Sequence, residues 1–106
     1  MKVEKDQEVL ATLSAAVNSL GVRDGSMTLV GAIQQCTLSV MAKDNALDDH
    51  LRTYDQPFEL TGLGEVVDGK IHVHVVLGGE DINVAGHLHS ATVRDFFVRA
   101  CIYPLN

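Results

Sequence analysis

The chain has no tryptophan, three phenylalanines and two tyrosines. Aromatic platforms for stacking single-stranded nucleic acid are therefore not expected. It has only two prolines and no low-complexity run, against 46% apolar residues, which excludes a disordered chain. Eight basic residues are scattered among fourteen acidic ones, for a net charge of −6. Lys2, Lys5, Arg23, Lys43, Arg52, Lys70, Arg94 and Arg99 never cluster, so the positive patch that a phosphate backbone requires is missing. An oligomer could still gather its arginines on one surface. No stretch reaches the roughly 18–20 apolar residues of a membrane span. The charged start Met1–Asp6 is unlike a secretory leader, so a cytoplasmic location is expected. Cys36 and Cys101 lie far apart in apolar surroundings and are expected to be buried and reduced.

At 106 residues the chain is expected to fold as a single domain, 1–106, with its own core. Asp6 offers an N-cap, and Val9, Leu10, Leu13, Ala16, Val17 and Leu20 form an apolar stripe at helical spacing. Gly21 supplies the left-handed residue after the helix, with Val22 folding back on the last turn. The pattern then turns to strands over 26–30 and 36–41, with a kink or bulge at Gly31-Ala32. The polar stretch 43–56 reads as an exposed connection with room for a short helical turn; Asp48, Asp49 and His50 invite a metal reading, against which a solvated loop is the stronger explanation. Strands follow over 58–67, broken by Gly62 and Gly64, and over 71–77, 82–89 and 96–103. Asp68-Gly69 is the strongest hairpin signal, and Gly78-Gly79 reads as a tight turn. One helix and six or seven strands without β-α-β alternation predict an α+β domain, a largely antiparallel β-sheet packed with an N-terminal helix.

Four of the five histidines form two His-x-His pairs, His72/His74 and His87/His89. Alternate residues of a strand share a face. Ile71, Val73, Val75 and Leu77 form one face of their strand, leaving His72, His74 and Val76 on the other. In the next strand Ile82, Val84 and Leu88 share a face with Gly86, opposite Asn83, Ala85, His87 and His89. If both apolar faces are buried together, paired residue numbers must sum to an odd value, 159 or 161. The first register sets His72 beside His87; the second sets His74 beside His87 and His72 beside His89. Either way four imidazoles share a face, where they suit a divalent ion such as zinc or a proton-transfer site. A polar, solvated face is the competing explanation. Glu59 and Glu65 share a side of the neighbouring strand. Glu59 is a candidate second partner of the histidines, and Glu65, beside the turn, reads as a solvated charge.

The run Phe58-Glu59-Leu60-Thr61-Gly62-Leu63-Gly64, then His72-Val73-His74-Val75, then Gly86-His87-Leu88 resembles the plants-and-prokaryotes conserved (PPC) domain. The Gly31-Ala32-Ile33 step and the preceding helix fit the same family, so the resemblance covers nearly the whole chain. It implies an antiparallel α+β domain assembled as a homotrimer. It also implies that His72, His74 and His87 are the family's metal-binding histidines, and that Phe58 and Glu59 shape a surface or interface groove. His89 has no family counterpart and stands as a neighbour of the site. Gln56-Pro57 stands where plant members have Gly-Arg, and Ala85-Gly86 where many have Gly-Gly. The basic AT-hook of plant members is missing, so the DNA-associated or regulatory role that kinship implies lacks its usual contact. The readings carried forward are a trimeric metal-binding module, with DNA or a DNA-associated protein as partner by resemblance only, a small metalloenzyme using Glu59 or His89 as acid or base, and a structural trimer.

Overall fold

The computed structural model describes residues 1–106. Its elements are β1 (Lys2–Val3), α1 (Val9–Ser19), β2 (Asp24–Ile33), β3 (Gln35–Ala42), β4 (Asn45–Tyr54), β5 (Phe58–Val67), β6 (Lys70–Gly78), β7 (Asn83–Thr92) and β8 (Val98–Pro104). They form one antiparallel eight-stranded sheet in the order β1-β8-β2-β5-β6-β7-β3-β4. The expected class holds, with one short strand and one long one beyond the expected count.

The helix starts later than the sequence suggests. Glu8 rather than Asp6 is its cap: the Glu8 carboxylate accepts from the backbone N–H of Leu10 at 3.0 Å and Ala11 at 2.8 Å. Asp6 instead adopts a left-handed turn at φ 67°. At the other end Gly21 takes φ 68°, and the Val22 N–H reaches back to the Val17 carbonyl at 3.0 Å. This is the glycine-ended motif that satisfies the last free carbonyls of a helix. Val9, Leu13 and Val17 are fully buried, while Leu20 at the end of the stripe stays exposed.

The helix covers one side of the sheet. Beneath it lie Met27, Leu29, Leu60, Val66, Val73, Val75, Leu77 and Leu88, all buried in one core cluster. Along β6 burial alternates strictly: Val73, Val75 and Leu77 are inside, and His72, His74 and Val76 are outside. β5 ends and β6 begins around Asp68-Gly69, which take φ 52° and 78° and so form the tight hairpin the dipeptide predicts.

Two expectations need correction. The stretch 43–56 is not a loop: β4 is a ten-residue edge strand paired with β3 from Cys36↔Tyr54 to Met41↔Asp49. Nine of its ten residues are exposed, so no buried face imposes an alternating pattern, and charges stand where edge strands commonly carry them. Cys101 is exposed on β8, whereas Cys36 is buried and its thiol is pushed up to about 11 by desolvation.

Gly31-Ala32 lies within β2 rather than between strands. A Cβ on Gly31 would stand 2.2 Å from the Phe97 carbonyl oxygen, so glycine lets β8 approach. The single residue Gln34 then links β2 to β3, although β5, β6 and β7 lie between them in the sheet. The sheet must therefore curl until the two strand ends meet.

Candidate metal centre

The β6–β7 ladder pairs His74 with His87 and Gly78 with Asn83, which is the register summing to 161. β5 lies on the other side of β6 and sets Leu63 beside His74 and Glu65 beside His72. β3 borders β7, with Ser39 opposite His87 and Leu38 opposite Leu88. The next pair is Thr37↔Ser90, so His89 is the extra residue of a bulge. The His89 ring nitrogen Nε2 lies 2.9 Å from the Ser39 hydroxyl, which gives that buried serine its partner.

All four rings come together with His87 at the centre. Its ring centroid lies 5.3 Å from that of His74, 4.9 Å from His89 and 6.1 Å from His72. Imidazole nitrogens bind zinc at about 2.0–2.1 Å, which puts the centroids of two ligands of one tetrahedral ion roughly 5 Å apart. The donor type and ring spacing fit a divalent cation. The rotamers do not yet close on one: no three side chains are positioned to hold an ion together. For an ion to be held here, ring rotation or a donor from outside the chain would have to complete the set.

The electrostatics favour the neutral ligand form at the centre. Burial, then the neighbouring His89, His74 and His72, hold His87 below the ordinary histidine value, with Asp49 pulling the other way. Neutral imidazole is the form that coordinates metal.

The structure separates the acidic candidates. Glu59 pairs with Gly78 and sits four residues along β5 from Leu63, roughly 13 Å from the neighbour of His74. It lines a different groove, at the far end of the sheet. Glu65 is the carboxylate brought beside His72. Asp49, within what the sequence presents as a loop, lines a groove of about 590 Å³ with Ser39, Met41, His74, His87 and His89. Once 45–54 is read as a strand, its register against β3 brings Asp49 to this groove. The sequence offers no alternation there to reveal it.

The histidines stand in an apolar setting. Leu63, Val30, Val76, Met41 and Leu51 are all exposed large hydrophobics. A continuous cross-strand row runs Thr28–Leu63–His74–His87–Ser39–Leu51, with Val30–Thr61–Val76–Ala85 beside it.

A curled antiparallel sheet with one covering helix and a histidine row on its open face defines an α+β domain with a candidate metal face. The chain matches the model of the Plants and Prokaryotes Conserved domain, abbreviated PCC or PPC, over residues 1–106, and it belongs to that family. Its fold is shared with a candidate DNA-binding protein of Bacteroides thetaiotaomicron at TM-score 0.81 and 22% identity, over 99% of this chain and 76% of that one. A metal-containing protein of Archaeoglobus fulgidus superposes at 0.78 with 20% identity, over 98% and 76%. A PPC protein of Pyrococcus horikoshii does so at 0.77 with 19% identity, over 100% and 77%. No curated protein matches the chain. No helix is long and apolar enough to cross a membrane.

Proposed function

We propose that the chain is a cytoplasmic, homotrimeric PPC module that holds a divalent cation, zinc or one like it, at His72, His74 and His87. The observation that carries this reading is the direct opposition of His74 and His87, with the rings of His72 and His89 within 6.1 Å of His87. The metal-containing relative from Archaeoglobus supports the metal half. The exposed apolar residues around the cluster support self-association, because such patches mark surfaces that meet a partner. Bound there, the ion would supply a Lewis-acid centre or a fixed link between neighbouring elements.

Metal analysis of protein purified without a histidine tag tests the site. One equivalent per chain or per trimer is expected, lost in His72→Ala and His87→Ala. Metal-free wild type after exposure to zinc would overturn it. Light scattering tests assembly: a trimeric mass is expected, falling in Leu63→Ser/Val76→Ser, and a monomeric wild type would overturn the trimer.

A DNA-associated role has a specific observation in its favour, the naming of relatives from Bacteroides and Ralstonia as candidate DNA-binding proteins. The net charge of −6 and the scattered basic residues oppose direct contact. A gel shift at low salt decides: no retarded band leaves only an association through another protein. In the metalloenzyme reading, His89 is the acid or base closer to the histidine centre, because Glu59 lies at the other end of the sheet.

A further inference from the structure

A second groove, of about 950 Å³, opens at the end of the sheet away from the histidines. Its size falls within the range of small-ligand sites, roughly 300–1,000 Å³. Three carboxylates, Glu59, Glu80 and Asp81, stand in its wall together with Phe96 and Phe97, and no basic side chain does. The Gln56 amide donates to Asp81 at 2.9 Å. That bond, with backbone N–H donors, holds the Asp81 carboxyl below its ordinary value.

Gln34 adds an independent observation. The residue is only 8% exposed and forms part of the groove wall. Its Oε1 accepts from the backbone N–H of Arg94 at 2.7 Å and of Asp95 at 2.8 Å. Those two donors fix which end of the amide is oxygen. Its Nε2 has no partner within the protein. No buried side-chain nitrogen or oxygen is left orphaned, so this Nε2 keeps solvent contact, and Gln34 is one of the residues that line the groove. It waits there as a donor for a carbonyl or carboxylate oxygen.

The aromatic wall is held out deliberately. Phe96 takes φ 72°, a left-handed conformation that is an outlier for a bulky residue, and the residue is 78% exposed. Phe97 already carries cations on its ring, with Lys2 Nζ 4.7 Å and Arg99 Cζ 5.8 Å from the centroid. Phe96 has none.

We infer that this groove binds a small ligand carrying a guanidinium or ammonium group close to a carbonyl, the chemistry of an arginine or lysine amide. The cation sits among Glu59, Glu80 and Asp81 against the Phe96 ring, and the carbonyl accepts from Gln34 Nε2. Cation–π contact and charge pairing select the positive group, and the amide donor orients it. The site is independent of the histidine cluster and of any metal there.

The test is a titration of N-acetyl-arginine methylamide into the isotopically labelled protein, followed by NMR. Saturable shifts are expected at Gly79, Asp81, Phe96 and the Gln34 side-chain amide, with the His72 and His87 signals unmoved. The citrulline analogue, which is neutral with nearly the same shape, is expected to bind about tenfold more weakly, and Phe96→Ala and Glu59→Gln to weaken arginine binding by about three- to tenfold. Equal affinity for the two compounds, or no shifts at the groove up to tens of millimolar, would overturn the proposal. A capped Ala-Arg-Ala peptide serves as the second arm. Affinity like that of the single residue supports a small ligand; a gain beyond tenfold would transfer the groove to a peptide partner and overturn the small-ligand assignment.

Discussion

The two faces of β6 differ in what they do. Val73, Val75 and Leu77 point into the core, and His72, His74 and Val76 point away from it. Adjacent residues thus serve unrelated ends: one set holds the domain together, and the other presents chemistry to the outside. The pleat of a strand makes this separation possible, because successive side chains point to opposite faces of the sheet. A face freed from packing can carry four imidazoles at little cost to the fold.

That contrast can be broken from the inside first. Leu77→Ala is expected to cost about 2–5 kcal/mol, since a fully buried leucine leaves a cavity behind. A urea melt measures it, and a loss below 1 kcal/mol would mean that the inner face is looser than its burial implies. Gly86→Ala tests the place where the two faces meet. A Cβ there would stand 2.4 Å from the Ser39 carbonyl oxygen, so β3 must move away from β7. About 1–3 kcal/mol is expected, together with altered chemical shifts at His87 and His89. Stability equal to wild type would refute the close approach.

Changes on the outer face should be far milder for the fold. His74→Ala in metal-free, dilute protein is expected to shift stability by no more than about 0.5–1 kcal/mol, as at other exposed positions. A larger loss in the same urea melt would show that the histidine row also supports the sheet. The smallest effect concerns pH. His87 titrates below its ordinary 6.5 in the folded chain. As pH falls below 6.5, the unfolded chain takes up this proton first, so the contribution of His87 is complete above that value. It is lost as pH falls through the depressed folded value and changes no further below it. Comparing metal-free wild type with His87→Gln between pH 7 and 5 should show a shallower decline in the variant; identical slopes would remove His87 as the source.

How much could be read in advance depended on whether burial left a mark. The bounds of β5 were legible to the residue and those of β6 to within one, because the Asp68-Gly69 turn separates them and β6 alternates strictly; Gly62 and Gly64, which read as breaks, lie within one continuous strand. The shared histidine face followed from parity alone. Which histidines oppose each other did not, since two registers satisfy parity and only the length of the turn after Gly78 decides. β4 left no pattern because both its faces meet water, so Asp48-Asp49-His50 read as a solvated loop and the strand register that brings Asp49 to the histidine groove could not be foreseen. Glu59 looked close to the histidines because it shares a strand face with Glu65, yet position along the strand mattered more than side. Glu8 escaped notice as a cap because glutamate seldom serves as one. It succeeds here because its chain is long enough to reach beyond the helix.

That reach has a mechanical consequence. The same Glu8 oxygen that accepts from Leu10 also accepts from the Ala91 N–H at 2.9 Å, and Glu8 forms a bridge with Thr92. Ala91 lies two residues beyond the bulge at His89 on the same strand. One carboxylate therefore rivets the first turn of the helix to the strand that carries half of the histidines. If an ion bound at the histidines and pulled on that strand, the load would reach the opposite side of the sheet as strain on a helix cap. Amide exchange at Leu10 and Ala11 becomes a remote gauge of events at His87.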